Sequence, residues 1–544
     1  WNIDYVTDIA REYKKLCPSV PIWVGGPEVS YEVETFLREN PYIDGVMIGE
    51  GEDTFRELCG YYAHKRKLSD IAGIAFRKYS TGNSTSNRTS VNNAGCKADE
   101  IVFTSPRPIK NMSEIPFCYD TLDDFSNRII YYESSRGCPF SCSYCLSSVD
   151  KTLRFRDTRI VKRELKFFID QKVPQIKFVD RTFNCNHAHA MELWRFIKAN
   201  DNGVTNFHFE ISADLLNQEE LELISDMRPG LIQLEIGVQS TNEVTIKEIH
   251  RTMKLERLKE VVRLIQSGNN IHEHLDLIAG LPYEDYDSFG RSFDEIYELK
   301  PNQLQLGFLK VLKGSYMFEH ATEYGIVYHD KPPYEVMSTK WLSFDDVIKI
   351  KRVEDMLEVY YNSGQFEITM KLMECIFDSA FEFFQELGDF YEANGYFGMS
   401  HSRIRRCEIL LEFLALYLHG CDSDAMTSVG LSENHGDRDN TDFDENAQLY
   451  SMIQESLIFD LYYRENCKSR PRWAADIGSF KHMTHAYCKN GKLSHVEPFH
   501  YIFPDKHTCK LDELPKYHKE PVWALFHYDM RDPLDHQALV EYIK

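Results

Sequence analysis

Two hydrophobic periods alternate along the start of the chain. Ile3, Val6, Ile9, Ala10 and Tyr13 recur at helical spacing. After the breaker Cys17-Pro18, the apolar run Pro21-Ile22-Trp23-Val24 reads as a short buried strand that ends in Gly25-Gly26-Pro27-Glu28-Val29-Ser30. A second unit repeats the order: a helix over residues 31–39, a strand over 45–48, then Gly49-Glu50-Gly51-Glu52-Asp53-Thr54-Phe55 opening a helix to about Tyr62. Helix, buried strand and glycine turn in succession predict parallel α/β units. Residues 79–99 then turn polar, rich in Ser, Thr, Asn and Gly, and predict a flexible insertion in a connecting β-region.

From residue 128 to 312, short β-rich runs alternate with amphipathic helices. The pattern places strands at 129–134, 175–180, 206–212, 231–238, 274–279 and 303–311. Helical stretches at 159–170, 188–199, 218–227, 255–267 and 287–299 fall between them. Six strands separated by five helical regions imply parallel pairing through right-handed crossovers, hence an open barrel of six β/α units. Beyond residue 314 the pattern becomes long aromatic-rich helices at 344–361, 367–387 and 403–418, a polar stretch at 421–446, a helix at 448–463, and strands at 495–503 and 521–528. The expected division is 1–66, a connecting region 67–127, a barrel 128–313, and a mostly helical region with a small β tail at 314–544.

Length and charge narrow the function classes. At 544 residues the chain suits about three domains, and no run of eighteen apolar residues predicts a membrane span. The formal net charge of −23 disfavours a nucleic-acid partner. The 14 cysteines are scattered apart from one cluster, which is not a disulfide framework, and no secretory leader opens the chain; a reducing cytoplasm is the expected location. The chain begins at Trp1 in the lead-in to a helix, and a preceding part is expected.

The cluster is Arg136-Gly137-Cys138-Pro139-Phe140-Ser141-Cys142-Ser143-Tyr144-Cys145, with spacing C-x3-C-x2-C. Thiolates suit zinc or iron-sulfur centres. A structural zinc site recruits four ligands, and no second pair stands nearby. Three cysteines on a four-iron cluster would leave one iron open. A zinc knuckle or three ordinary thiols are the alternative readings. Acidic and polar residues recur at the carboxyl ends of the later strands, where parallel barrels gather their chemistry: Asp180-Arg181-Thr182, Glu210-Ile211-Ser212, Glu235-Ile236-Gly237-Val238-Gln239 and Asp276 through Gly280 to Glu284. For each alone, a helix cap or surface charge is the plain alternative.

The cysteine spacing, with Tyr144 before the third cysteine, closely resembles the radical S-adenosylmethionine (SAM) enzymes. By that resemblance the fold is a partial (β/α)6 barrel. Cys138, Cys142 and Cys145 are implied to hold a 4Fe-4S cluster whose open iron takes the amino and carboxylate groups of SAM. Asp180 would face the SAM amino group, though Arg181 stands where many relatives carry a second acid. Glu210 and Ser212 would lie toward the ribose, Glu235, Gly237 and Gln239 toward the ribose and methionine part, and Gly280 along the adenine. Arg136 would steady the cluster's charge. The pair Gly-Gly-Pro-x-x-Ser and Gly-Glu-Gly-Glu-x-Thr-Phe resembles the second half of the Rossmann-like cobalamin-binding domain that precedes many such cores. Gly25, Gly26 and Ser30 would then line the pocket for the corrinoid's nucleotide tail, with residues 49–51 at its edge. The Asp-x-His-x-x-Gly motif of that domain's first half is absent from these residues.

The resemblance implies reductive cleavage of SAM to a 5′-deoxyadenosyl radical and methyl transfer to an unactivated carbon of a small-molecule or peptide substrate. It also implies an electron donor such as flavodoxin or ferredoxin. Rearrangement or cyclisation without methyl transfer is one alternative, and a non-catalytic corrinoid or iron-sulfur binding protein is another. The region after residue 314 resembles the helical domain of an uncharacterised branch of the same family. There His482, His485 and Cys488, with His495, His500, His507 and Cys509 downstream, make a metal site conceivable, whereas core or surface histidines are the plainer reading. Cys375, Cys407, Cys421 and Cys467 show no spacing for an auxiliary cluster.

Overall fold

The strands that the hydropathy pattern places between residues 128 and 312 all align in one direction. In the computed structural model, which describes residues 2–78, 100–119, 121–125, 128–149, 151–419, 440–488, 493–503 and 514–543, the chain begins with an α/β lobe. Helix Ile3–Leu16 leads to strand β1 (Trp23–Gly25), and helix Val33–Glu39 to β2 (Gly45–Met47). These two strands pair in parallel; β3 (Ile74–Lys78) and β4 (Glu100–Phe103) add antiparallel neighbours in the order β1-β2-β3-β4. The expected polar insertion at 79–99 lies outside the described residues. The lobe has its own small core, in which Leu37, Ile43 and Val46 are fully enclosed.

The second sheet runs β5 (Ile130–Tyr132), β6 (Gln175–Phe178), β7 (Asn206–Ile211), β8 (Ile232–Gln239), β9 (His272–Ala279) and β10 (Gln303–Phe308) in sequential spatial order. Every pairing is parallel, from Ile130 beside Ile176 through Gly237 beside Asp276 to Ala279 beside Phe308. Because β5 and β10 are both edges, the barrel is open. Strand burial alternates strictly in β8 and β9, where Leu234, Ile236, Leu275 and Leu277 point outward into the helices. The opposite faces carry Lys177, His208, Glu235, His274 and Asp276. The crossover helices Thr158–Asp170, His187–Ala199 and Tyr286–Tyr297 are each N-capped by an Asp or Asn side chain, from Asp157, Asn186 and Asp285.

The carboxyl-terminal region is helical, as the aromatic periodicity predicts, with two departures. The expected helix at 367–387 is two helices, Glu367–Met373 and Ala380–Ala393, because the Ser379 side chain caps the second one. The expected helix at 448–463 begins earlier, spanning Asn440–Arg464, and most of the expected polar excursion lies outside the described residues. A three-stranded antiparallel sheet, Ser494–Tyr501, Tyr517–Arg531 and Ala538–Ile543, closes the chain; the sequence pattern had placed only the first two strands. One continuous apolar cluster joins the barrel helices to this region, from Phe289 and Phe293 through Phe381 and Phe384 to Phe459 and Phe526. No described helix is long and apolar enough to cross a membrane.

One buried group sets a measurable property of the sheet. Glu273 points out of β9 into the apolar layer; both of its carboxylate oxygens lack a hydrogen-bond partner, and burial lifts its pKa well above 4.5. The folded state therefore binds this proton more tightly than the unfolded chain. Its contribution is full below about pH 4.5 and is lost as pH rises toward the folded-state pKa. Glu273→Gln should raise the melting temperature near neutral pH and flatten its decline as pH rises above about 4.5. Unchanged melting curves for the variant across that range would contradict this assignment.

Candidate active site

The cysteine loop leaves β5 at the end where all six barrel strands terminate. Its departure is fixed by one buried acid on the neighbouring strand end. Asp180, fully enclosed, accepts hydrogen bonds from the Ser134 backbone N–H at 2.9 Å, the Ser134 hydroxyl at 2.7 Å and the Ser135 hydroxyl at 2.5 Å. Burial pushes its pKa up to about 6, against the pull of these donors. Its oxygens are thus engaged in holding the loop, rather than turned to an open ligand position.

After Ser135, the short antiparallel pair Ser135–Arg136 and Arg154–Phe155 brackets the loop. Gly137 has φ +93°, and a Cβ there would lie 2.6 Å from the Thr152 carbonyl oxygen, so only glycine fits. Cys138 and Cys142 are buried and Cys145 is partly exposed. The Ser143 N–H donates to the Ile249 carbonyl and the Ser143 carbonyl accepts from Met317 N–H, both at 2.9 Å. The Cys138 sulfur lies 3.7 Å from the Thr182 hydroxyl.

Arg251 is a site residue the sequence pattern did not single out. Its guanidinium lies 3.9 Å from Cys142 Sγ, donates to the Tyr144 hydroxyl at 3.2 Å, and donates to the Gly237 carbonyl. Burial raises the Cys142 thiol pKa, and the Arg251 charge opposes that rise. Arg136, expected beside the cluster, instead turns away to Glu133 and to the amino-terminal lobe. The only sequence signal for Arg251 is a charged residue just beyond the short helix Glu243–Glu248, which alone is unremarkable.

The remaining expected residues gather on the same strand ends, but several are already engaged. The Ser212 hydroxyl donates to Asp214 at 2.8 Å. Glu235 is paired with Lys177 at 2.8 Å and His208 at 2.9 Å, and these hold its pKa down to about 2. Glu210, beside Glu235 in register, has its pKa raised by burial and then by that neighbouring carboxylate. Gln239, at φ +78°, has a sealed Oε1 with no hydrogen-bond partner. A side chain at Gly237 would collide with the Gln239 amide, and one at Gly280 would meet Val336 at 2.7 Å. Opposite Gly237, Asp276 has a sealed, unpartnered Oδ1 and a pKa pushed up to about 7 by burial and then by Glu235 and Glu210.

In the lobe, the two glycine loops stand side by side. The Ser30 hydroxyl donates to the Gly26 carbonyl at 2.8 Å and accepts from Gly49 N–H at 3.2 Å, tying them together. A Cβ at Gly26, Gly49 or Gly51 would meet nothing within 4 Å, so these glycines border open space; Gly25 instead packs on Met47. A cavity of about 400 Å³ lined by Gly49, Glu50, Phe103 and Pro106 lies alongside. Among the described residues, no group of His, Cys, Asp or Glu converges on a single metal-ion position, including His482, His485 and Cys488. A four-iron cluster makes a different demand, because each thiolate reaches its own iron and the sulfurs need not meet at one point.

Family models match the chain in three consecutive segments: "B12 binding domain" at residues 1–59, "Radical SAM superfamily" at 132–296, and "Protein of unknown function (DUF4080)" at 322–537. The first two, in tandem, decide the matter. Residues 1–59 and 132–296 thus carry a cobalamin-binding segment followed by a radical SAM core. The cofactors of this radical SAM protein are accordingly a 4Fe-4S cluster, SAM and cobalamin. It is 23% identical over 353 residues to the uncharacterized methyltransferase PH0819 of Pyrococcus horikoshii, covering 63% of this chain and 71% of that one. It is 27% identical over 322 residues to the cobalamin-dependent radical SAM methyltransferase TokK of Streptomyces tokunonensis, covering 55% of this chain and 44% of TokK. Among solved structures, the cobalamin-dependent S-adenosylmethionine radical enzyme OxsB with aqua-cobalamin and S-adenosylmethionine bound aligns with TM-score 0.48 at 15% identity, covering 85% of this chain and 70% of OxsB.

The Asp180 contacts make a direct test of the loop anchor. Asp180→Ala strands the buried Ser134 N–H and should cost about 1–3 kcal/mol in chemical denaturation. A loss below about 0.5 kcal/mol would show that the loop holds without this anchor.

Proposed function

We propose that this radical SAM protein cleaves SAM reductively and transfers a methyl group to an unactivated carbon of its substrate. The observation that supports this best is the placement of Cys138, Cys142 and Cys145 at the carboxyl mouth of the parallel barrel, with the 49–52 glycine turn of the lobe in contact through Arg136, the residue that precedes Gly137. Three thiolates from one loop suit a four-iron cluster and leave its fourth iron for SAM. When bound, the reduced cluster supplies an electron that splits SAM into methionine and a 5′-deoxyadenosyl radical, and cobalamin supplies the methyl group.

This chain's own residues orient and shield those groups. Arg251 offsets the negative charge of the cysteine loop, next to Cys142. Gly237 and Gly280 admit the Gln239 and Val336 side chains that close over these strand ends, and the enclosed Gln239 Oε1 is an unpaired acceptor that would reach a ligand once the side chain turns. Glu210, Glu235 and Ser212 shape the wall, with Tyr144 packed against the core and held by Arg251. Asp180 positions the loop, and Gly26 with the 49–51 turn leaves room for a corrinoid edge. The region after residue 314 walls the site, since its segment at Val336 backs Gly280. A small-molecule or peptide substrate, an electron donor such as flavodoxin or ferredoxin, and a reducing cytoplasm complete the proposal; the described cysteines are all free thiols.

Anaerobic reconstitution with iron, sulfide, a reductant and methyl-labelled SAM tests it. The wild-type protein should form 5′-deoxyadenosine and place label in a product, and Cys142→Ala should reduce 5′-deoxyadenosine to background. Equal 5′-deoxyadenosine from Cys142→Ala and wild type would overturn the enzymatic reading; 5′-deoxyadenosine with no labelled product in the presence of substrate would overturn methyl transfer.

A further inference from the structure

Among the described residues, the amino-terminal lobe shares no buried apolar cluster with the rest of the chain. Its enclosed residues form two small cores of their own, whereas the barrel and carboxyl-terminal region share a third. What joins lobe to barrel is largely charge, concentrated on the acidic residues of the two glycine loops. Arg136 donates to Glu133 at 2.7 and 3.0 Å, to Glu52 at 2.9 Å, and lies 3.3 Å from Glu50. Arg154, its register partner across the short strand pair, donates to Glu50 at 2.6 Å and to the Lys110 carbonyl at 3.1 Å. Lys110 pairs with Asp53 at 2.7 Å. On the other loop, Glu28 accepts from the Tyr334 hydroxyl at 2.5 Å and pairs with Lys313 at 3.1 Å.

The two arginines come from the strands that flank the cysteine loop, and Arg136 is separated from Cys138 by one glycine that no side chain can replace. Both reach the same turn, Glu50 to Glu52. We propose that Arg136 and Arg154 are positioning residues that clasp this turn and thereby fix the distance between the lobe's open loops and the cysteine loop. The clasp deepens the proposed function, because those loops are read there as the corrinoid edge and the cysteines as the cluster site.

Three features make it a clasp rather than an ordinary surface ion pair. The side chains are only partly exposed, at 23% for Arg136, 23% for Glu50 and 12% for Arg154, so solvent screens them less than an open pair. Burial alone would lift the Glu50 carboxyl, yet Arg154 and Arg136 hold it below its ordinary value, so it stays charged at neutral pH. The arrangement is also redundant: Glu50 touches both arginines, and Arg136 touches three carboxylates, so orientation as well as distance is specified. A lobe held by apolar packing could slide; one held by crossed, directional hydrogen bonds has one register.

The test uses the full chain carrying its reconstituted cluster, with hydrogen exchange followed by mass spectrometry. Arg136→Met should speed exchange roughly fivefold in residues 45–57, while residues 232–239 of the barrel keep wild-type protection. Arg136→Lys, which keeps a cation among the three carboxylates, should hold exchange within about twofold of wild type, which a merely structural lesion would not do. With cob(II)alamin added, pulsed electron paramagnetic resonance should give a cobalt-to-cluster distance distribution at least about twofold broader in Arg136→Met than in wild type. If Arg136→Met also loosens 232–239, Glu52→Gln serves as the milder lesion with the same expectation. Wild-type exchange in both lesions, or exchange in Arg136→Lys as fast as in Arg136→Met, would overturn the clasp. The exchange arm needs neither SAM turnover nor cobalamin, so a protein that makes no 5′-deoxyadenosine would sink the proposed function and leave the clasp to be decided on its own result.

Discussion

A buried carboxylate holding two serines sets the geometry on which the rest of the site depends. Asp180 sits at the end of β6 and binds Ser134 and Ser135 at the end of β5, so the first two strands finish at the same height. A charged group so deep would be costly unless hydrogen-bonded, and here three donors meet its two oxygens. From that fixed point the chain turns through Gly137 into the cysteine loop, whose far side is tied to the backbone at Ile249 and Met317. The three cysteines are thus presented by anchors from the first strand, the region after the fourth, and the first helix beyond the barrel. None of these anchors is itself a cysteine.

Much of the architecture was legible because hydrophobic burial writes a period into the sequence. The alternation in 231–238 and 274–279 and the helical stripes between strands follow from one sheet face meeting helices and the other meeting a polar lumen. The cysteine spacing was legible for a different reason: it is local, so sequence distance fixes spatial distance. Arg251 was invisible because its partners, Cys142 and Gly237, are brought to it only by tertiary folding. The same cause misdirected Arg136. Adjacent to the cysteines in sequence, it was expected beside them, yet the extended backbone at Ser135–Arg136 sends its side chain to the lobe. The break before Ser379 was hidden by aromatic residues that continue the helical pattern on both sides of a cap.

Polarity in the barrel lumen has a cost and a use. Lys177, His208, Glu235, His274 and Asp276 occupy positions that a filled barrel would give to branched aliphatic side chains. Burial drives the His274 pKa down to about 3 and the Asp276 pKa up to about 7, so His274 is neutral and Asp276 only about half ionised near neutrality. Glu235 is kept fully ionised by its His208 and Lys177 partners. The lumen thereby combines one fixed ion pair with neutral donors and acceptors, a surface suited to polar contact but not to close apolar packing.

The apolar cluster that runs from the barrel helices into the carboxyl-terminal helices bears on how the molecule comes apart. Residues such as Phe293, Phe381 and Phe384 belong equally to both regions, so neither side has a complete interior without the other. Barrel and carboxyl-terminal region therefore form a single cooperative unit in unfolding, with the lobe, built on its own small cores, as a separate one. The lobe can then open without exposing a shared core, whereas the region matched by a family model of unknown function is as inseparable from the barrel as one half of a core is from the other.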